Sequence, residues 1–515
     1  MIGCRVRIYA PEGTAYLFRG FGRYLHWVNG TRCVPYTLLM LSACTVGPDY
    51  RRPASTIPAE FKELKGWTQA QPRDAEIPDQ WWELFNDPYL NGLERQVNIA
   101  NQSIAQAEAQ YAEAQALVQG AAAAYFPVAS ASATTNRFRA ASGQSVAVSG
   151  VRNLFGGALS VAWEPDLWGG VRRQVEANAG AAQASAANLQ ALRLSTQAML
   201  AQSYFQLRAL DARKTLLNDA VATYEKTLKI IQNRYNAGVV AKTDVVQAET
   251  QLESVRARLI DNGVQRAQLE HAIASLVGKT PAALNIAGAP PATTVPPIPV
   301  NIPSQLLERR PDIAAAERLA AAANAEIGVA KAAYYPSLNL AASRGTQATE
   351  LSNLFTTAAT YWALGPAALA LPLFDGGARS AQLSAAINKH KAGVAAYRET
   401  VLTGFREVED YLAELRLLEQ ETGVQQKAVA SARKAVDLTI NQYKAGTVSY
   451  LNVMTAQATA LTNEETAVDL QGRRLTAAVQ LIKALGGGWD SSDLPTRDKV
   501  GGERQWSQFL PLPVN

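Results

Sequence analysis

Cysteine and histidine are almost missing from the 515 residues, with three of each. Three cysteines cannot staple a chain this long, so a disulfide scaffold is excluded. After the first 43 residues the only histidines are His271 and His390, both inside helical patterns. No paired metal-ligand spacing, Walker loop or nucleophile elbow occurs. Gly169-Gly170 and Gly376-Gly377 lack the flanks of a phosphate loop and read as turn glycines. The chain therefore offers no catalytic, cofactor or metal site, and an enzyme is the least favoured class. No apolar run of ~20 residues follows Cys44, which excludes a membrane-spanning helix. Charge is sparse, at 18% of residues and a net +5. Arg5, Arg7, Arg19, Arg23 and Arg32 against Glu12 place +4 of it before Cys44. The remainder holds 44 basic and 43 acidic residues (49 − 5 and 44 − 1). A folded body without basic excess argues against nucleic acid as a partner. The length, taken alone, suggests about three domains and permits a large core.

What is present begins with a leader. Residues 34–43 form a short apolar run after Arg32, and small residues lead into Cys44. This reads as a secretory signal, far too short to span a membrane. Leu41-Ser42-Ala43-Cys44 resembles a bacterial lipobox, which implies acylation of the Cys44 sulfur and cleavage before it. Residues 1–31 are longer than an ordinary n-region and point to a translation start further downstream. Cleavage would leave 472 residues (515 − 43), and Cys4 and Cys33 would depart with the leader.

The chain is written twice. Tyr235, Ala237, Gly238, Val240, Val245 and Ala248 recur as Tyr443, Ala445, Gly446, Val448, Val453 and Ala456, at a constant offset of 208 (443 − 235). Gly278 recurs as Gly486. Tyr125-Phe126-Pro127 recurs as Tyr334-Tyr335-Pro336, and Trp168-Gly169-Gly170-Val171-Arg172 as Asp375-Gly376-Gly377-Ala378-Arg379. The period is far longer than the ~20–50 residues of solenoid repeats.

Each half has one plan. An Ala-, Gln- and Glu-rich helix (about 88–124, then about 310–334) ends at an aromatic-Pro pair. A strand follows: Leu338, Leu340 and Ala342 alternate with Asn339, Ala341 and Ser343, while Phe126, Val128, Ser130 and Ser132 share a face in the first half. Polar loops near 140–152 and 345–360 lead to second strands near 153–165 and 361–374, the latter with Leu369, Leu371 and Leu373 on one face. Then no proline occurs from Val171 to Arg234 or from Arg379 to Gln442. Each stretch, as one helix, reaches roughly 96 Å. Ala-Gly at 237–238 and 445–446 breaks the pattern, and a helix of about 38 residues returns to Gly278 or Gly486. The segment Ala179 to Ala187, nearly all Ala, Gly and Ser, predicts close lateral packing, and few of these helices carry a face apolar enough for a conventional core. A Leu-rich heptad seam is missing, so a simple coiled coil is not indicated.

Two hairpins are marginal by themselves in water, and a membrane sheet must close because lipid cannot satisfy its edges. Bacterial barrels begin at eight strands, so four per chain imply several chains. Tyr335, Tyr361 and Trp362 fall at strand ends, where aromatic girdles belong.

These features carry a family resemblance. Cys44 is followed by Gly47-Pro48-Asp49-Tyr50 and then by the run Trp81-Trp82-Glu83-Leu84-Phe85-Asn86-Asp87-Pro88-Tyr89-Leu90. Ser203-Tyr204-Phe205-Gln206-Leu207-Arg208-Ala209-Leu210-Asp211 and Ala237-Gly238-Val239 come next. The most specific stretch is Leu307-Glu308-Arg309-Arg310-Pro311-Asp312-Ile313-Ala314-Ala315-Ala316-Glu317, continued by Ile327-Gly328-Val329-Ala330. The chain resembles the TolC-like outer membrane efflux factors, in the lipoprotein branch typified by OprM and the NodT-type proteins. The resemblance covers essentially all of it from Cys44 to about Gly488.

The resemblance implies a mixed α/β membrane protein: two tandem repeats of long antiparallel helices plus a β-hairpin, three copies closing a 12-stranded barrel continuous with a periplasmic helical barrel. It divides the chain into a signal (1–43), a first repeat (44–280), a crossover (281–305), a second repeat (306–488) and a tail (489–515). The terminal segments and the Pro-rich crossover would build an equatorial belt. Implied partners are two further copies, a periplasmic adaptor, a proton-driven inner-membrane transporter of the resistance-nodulation-division class and outer-membrane lipid. No cofactor is implied. A duct for type I secretion and a poreless structural lipoprotein are the alternatives. The implied tips, Ala237, Gly238, Val239, Ala445, Gly446 and Thr447, face the adaptor. Asp244 and Tyr443 match positions that tie neighbouring helices in the closed state. Asn452 and Thr455 match positions that often carry acidic constriction rings but are neutral here, and Val448 replaces a basic tether. Asp244 also reads as a helix N-cap and Tyr443 as simple packing.

Overall fold

The computed structural model describes residues 45–55, 57–64, 77–139, 151–289, 295–300 and 303–502. Cys44, the leader before it, parts of the crossover and the chain beyond residue 502 lie outside the described residues. The first half runs α1 (Pro88–Ala100), α2 (Gln102–Ala123), β1 (Val128–Arg139), β2 (Val151–Trp163), α3 (Gly170–Asn236) and α4 (Lys242–Leu276). The second half, after one helical turn at Leu306–Arg309, runs α5 (Pro311–Ala332), β3 (Ser337–Ala348), β4 (Thr360–Ala370), α6 (Ala378–Lys444) and α7 (Tyr450–Ala484). Both α3 and α6 have 67 residues, about 100 Å at 1.5 Å per residue. Both α4 and α7 have 35. None of the described helices is apolar enough over a long enough stretch to cross a membrane.

The expected single helix over 88–124 is broken at Asn101, and the break explains the repeat. Asn101 caps α2 by accepting from the Ser103 and Ile104 N–H groups, and its Nδ2 donates to the Leu276 carbonyl at 2.8 Å. Its counterpart Arg310 precedes α5 and donates through Nη1 to the Ala484 carbonyl at 3.1 Å. In each half, then, the start of one helix fills an orphan carbonyl in the last turn of the returning helix. Gly278 (φ +70°) and Gly486 (φ +96°) complete these joints: a Cβ at either would overlap the carbonyl of Ala100 or Arg309. The strand-to-helix turns repeat as well. Asp166 accepts from the Val171 and Arg172 N–H groups and from Arg172 Nε, at 3.0, 3.0 and 3.1 Å. Asp375 likewise accepts from the Gly377 and Arg379 N–H groups and from Arg379 Nε.

The strands form one antiparallel sheet in the order β1-β2-β3-β4. Registers such as Ser130↔Ser160, Ser160↔Ser343 and Ser343↔Ala363 align one polar face. The other face holds Leu159, Val161, Trp163, Leu340, Trp362, Leu364 and Leu369. Trp362 projects from that apolar face, 78% exposed. Tyr361, expected as a girdle residue, lies instead on the polar face with its ring against Gly345, because adjacent strand residues alternate faces. Tyr335 stacks on Trp168 at 4.8 Å. The second strand of this hairpin ends at Ala370, short of the expected 374, so Leu371 and Leu373 follow it. Pro372 has no N–H to give the ladder, and its carbonyl accepts from Arg379 instead.

The helices do share a conventional core, contrary to expectation, and it sits at mid-length. Leu200, Phe205 and Leu207 of α3, Tyr397, Val408 and Leu412 of α6, and Leu475, Val479 and Ile482 of α7 meet Trp81, Trp82 and Phe85 there. Ile286, Ile298 and Val300 of the crossover join them. The motif Ser203–Asp211 ties this waist together: Tyr204 donates to Asp87 at 2.6 Å, and Arg208 and Arg266 both pair with buried Asp211. Toward the sheet the helices change character. Ala187 of α3 packs with Ala314 and Ala315 of α5, Gly180 lies against Ala322, and Ala179 and Ala182 pack with Val118 of α2 and Val500.

Residues 45–64 run as a strap from sheet to waist. Thr45 packs on Gly169, Tyr50 donates to Glu317 at 2.6 Å, Arg52 donates to the Leu307 carbonyl, and Glu63 pairs with Arg416.

Within the waist, Glu94 of α1 is fully buried with neither carboxylate oxygen partnered, and burial pushes its pKa well above the ordinary 4.5. The folded chain keeps its proton where the unfolded chain releases it, so the contribution of Glu94 to stability is full below about 4.5 and is lost as pH rises toward its raised folded value. Glu94→Met should raise stability at neutral pH by about 1–3 kcal/mol and flatten that pH slope. Melting curves from pH 4 to pH 8 that coincide in shape for the two proteins would contradict this. At the joints, Gly278→Ala or Gly486→Ala should each cost at least ~2 kcal/mol through left-handed strain and carbonyl overlap. Thermal melting of the purified variants checks it, and unchanged melting would contradict the joint.

Candidate functional site

The end of the molecule farthest from the sheet is built by two helix reversals. At the first, the Gly238 N–H donates to the Tyr235 carbonyl at 2.8 Å and the Val239 N–H to the Arg234 carbonyl at 2.9 Å. At the second, Gly446 donates to Tyr443 and Thr447 to Gln442, both at 3.0 Å. These paired bonds close a helix with a left-handed residue after its cap, and Gly238 (φ +72°) and Gly446 (φ +76°) supply it. The six tip residues Ala237, Gly238, Val239, Ala445, Gly446 and Thr447 are all exposed, Val239 by 61%.

The chain then re-enters a helix through Ala241 and Ser449, both in extended conformation. Asp244 is thus not an N-cap. It is the third residue of α4, half-buried in the first turn, where a negative charge favours the positive helix end. The cap position falls to Ala241 because Val239 and Val240 complete the reversal first. Asn452 is the repeat counterpart of Asp244 in α7, and it accepts from the Ser449 hydroxyl at 3.4 Å. Thr455 spends its hydroxyl on its own helix, donating to the Leu451 carbonyl at 2.9 Å. Asn452 and Thr455 are both exposed.

Beneath the tips, Ile231, Ala248, Tyr443, Tyr450 and Val453 form a small apolar cluster that draws on all four long helices. Val448 packs against it. Tyr443 is its centre. Its ring meets Tyr450 edge-on at 5.9 Å, and the Arg234 guanidinium lies 4.7 Å from its centroid. Arg234 also donates to the Tyr443 carbonyl at 3.2 Å. The Tyr443 hydroxyl is buried and has no partner among the described residues. Burial first, and the Asp244 charge after it, hold that phenol above its usual pKa despite Arg234. Burial also pushes Tyr450 up to about 12, so both phenols stay neutral. The structure thus brings Asp244, Tyr443 and Asn452 to one end, and it adds Arg234 and Tyr450, which the sequence reading missed. The available signal was an arginine one turn before the first tip glycine, where the second half has Gln442.

A duplicated pair of long helical hairpins, joined to a sheet with one apolar face, is the build of a duct wall. Comparison with known proteins agrees. The model of the family described as outer membrane efflux protein matches twice, over residues 94–279 and 302–487. The outer membrane protein OprJ of Pseudomonas aeruginosa is 33% identical over 460 residues, covering 88% of this chain and 94% of that protein. The toluene efflux pump outer membrane protein TtgC of Pseudomonas putida is 30% identical over 457 residues, with the same coverage. The solved structure of the outer-membrane channel OprN superposes with a TM-score of 0.81 at 29% identity, over 87% of this chain and all of that one. The chain belongs to the outer membrane efflux protein family. It is an outer-membrane exit duct for efflux, and its family is one of channels rather than enzymes.

Arg234→Ala removes the bond to the Tyr443 carbonyl and the cation at its ring. It should raise amide hydrogen exchange at 235–245 and 443–453 by about tenfold and leave the waist unchanged. Tyr443→Phe removes only an unpartnered hydroxyl and should leave exchange unchanged within the protomer. Equal exchange in the two variants would contradict this assignment.

Proposed function

We propose that three copies of this chain close a 12-stranded barrel in the outer membrane, and that the trimer is the exit duct of a tripartite pump. The observation that carries this reading is the four-stranded sheet. It has an apolar face and two unpaired edges, β1 and β4, and is continuous with helices about 100 Å long. Lipid satisfies no backbone group, so such edges must pair with further copies. Four strands cannot close alone, whereas twelve lie within the known range of barrels.

The helices would then cross the periplasm and present the six tip residues to an adaptor, which couples the duct to a proton-driven transporter of the resistance-nodulation-division class. Small organic molecules are the favoured cargo, in line with a relative named for toluene efflux. The domain reading stays as proposed: signal 1–43, first repeat 44–280, crossover 281–305, second repeat 306–488, tail 489–515. Acylation of Cys44 belongs to the same reading. Its support is the placement of Thr45 beside Gly169 at the strand-to-helix junction, where a lipid on the preceding residue would meet the inner leaflet.

At the aperture, three Asp244 carboxylates would form the ring, Asn452 and Thr455 being neutral. Weaker polar links than in relatives with acidic rings would hold the closed state. In planar bilayers, multivalent cations added on the periplasmic side should block conductance strongly, and Asp244→Asn should abolish the block. An unblocked wild-type channel would remove the ring, and absence of conductance would remove the duct. Co-purification with a transporter bearing a nucleotide-binding domain would favour type I secretion instead.

A further inference from the structure

The four long helices stand side by side in the order α4-α3-α7-α6. At the waist a groove of about 810 Å³ runs along one face of this wall, lined by all four of them. That volume is within the range of small-molecule sites, roughly 300–1,000 Å³. Its floor is a close approach of α3 to α7, where a Cβ at Gly472 would lie 3.0 Å from that of Ala209. Small residues there leave space that larger side chains would fill.

The groove opens on the bare face of the wall. On α3, Tyr204 binds Asp87 at the start of α1, and Arg208 and Asp211 bind the crossover. Gln206, Ala209 and Arg213 of the groove lie half a turn away from them. On α6, Glu409 and Arg416 hold the strap, and Tyr411 and Glu414 of the groove again lie half a turn away. Extra segments inside a duct would plug it, so in the duct reading the covered face is the outside and the groove faces the lumen.

Charge in the groove is unbalanced. Arg213 is spent on Glu465. Asp469 and Arg473 sit one turn apart on α7 and offset each other. Glu414 is half-buried and makes no hydrogen bond or ion pair among the described residues. Burial first, then the charges of Glu407 and Glu414, hold the Tyr411 phenol above its usual pKa, so it stays neutral. Leu210, Leu269 and Ala477 add apolar wall. A lone carboxylate, an aromatic ring and an apolar wall together match a cation carried on an apolar body. A bare metal ion is a poorer match, because no three metal-type ligands meet among the described residues.

We propose that the waist groove binds amphiphilic organic cations inside the duct, with the Glu414 carboxylate pairing the charge and Tyr411, Leu210 and Leu269 holding the apolar part. The inference deepens the duct reading above and rests on it. Binding there is weak, since a tight site would hold back what must pass. Three copies would set three such stations at one level.

Detergent-purified protein is titrated with benzyltrimethylammonium, with benzenesulfonate and with benzyl alcohol, and binding is read by saturation-transfer NMR against a detergent blank. Wild type should bind the cation on the order of tenfold more tightly than either of the others. The double variant Glu414→Gln, Tyr411→Leu should weaken cation binding about tenfold. Glu60→Gln, which removes an exposed charge from the strap on the other face, should bind as wild type. Excess magnesium should not displace the cation. Equal binding of cation and anion would overturn the proposal, as would unchanged binding by the double variant. So would an equal loss in Glu60→Gln, or displacement by magnesium. If the double variant does not fold, Glu414→Gln alone carries the test with a loss of about threefold. Planar-bilayer conductance of the same preparations separates the two readings. A conducting wild type without preference for the cation sinks only the groove, and a wild type that binds without conducting sinks the duct.

Discussion

Backbone hydrogen bonding is the constraint from which the rest follows. Each chain contributes β1 to β4 in simple sequence order and leaves an unpaired edge on either side. In water such edges invite aggregation; in lipid they are not tolerated at all. The apolar face suits lipid, and the proposed closure with other copies would answer the shortage of strands. The long helices inherit the consequence. They continue from the strands through the Asp166 and Asp375 turns, so the wall they build must curve as the sheet does. Small residues make this feasible toward the sheet, where Gly180 and Ala187 of α3 lie directly on α5.

Duplication supplied two walls from one plan, and divergence then fitted each half to its place. The joints show both. Asn101 and Arg310 reach equivalent carbonyls, but the arginine also pairs with Asp312 and Glu407, so the second joint is charged where the first is neutral. The tips diverge in the same manner. The first carries Arg234 and Asp244, the second carries Tyr443, Tyr450 and Asn452, and contact between them is made across the halves. One half supplies the charge and the other the aromatic surface.

Much of this was legible in the sequence. Proline-free stretches and paired glycines marked the long helices to within a few residues, because such helices tolerate neither proline nor an early left-handed residue. Period-two alternation found the strands, yet it put Tyr361 in a girdle. A single strand does not say which neighbours share its faces; the register against Gly345 puts Tyr361 on the polar one. The break at Asn101 was hidden because its cause, the Leu276 carbonyl, lies 175 residues away. The waist core was underestimated for a like reason. Its residues come from the strap, the crossover, α1 and all four long helices, and none of the long helices shows a strong apolar stripe when read alone. The N-cap reading of Asp244 missed by three residues, because the cap position falls to Ala241.

Packing also decides where the molecule can move. At the waist, aromatic and aliphatic side chains from both halves and the crossover form one continuous core. Below it, toward the tips, apolar contact shrinks to two clusters of five buried residues, one around Leu217, Leu252 and Leu461 and one around Tyr443. Between them along α7 lies Gln457, buried with neither amide atom partnered. Glu465, at the waist side of the upper cluster, is held by Arg213 and Arg258 from α3 and α4. Local opening free energy follows the apolar area buried and the polar groups satisfied, so it falls steadily from waist to tip. A duct needs a rigid anchor in the membrane and a soft end where a gate can open. This chain concentrates its buried aromatic surface at mid-length and leaves the tip helices joined by a few side chains around one tyrosine.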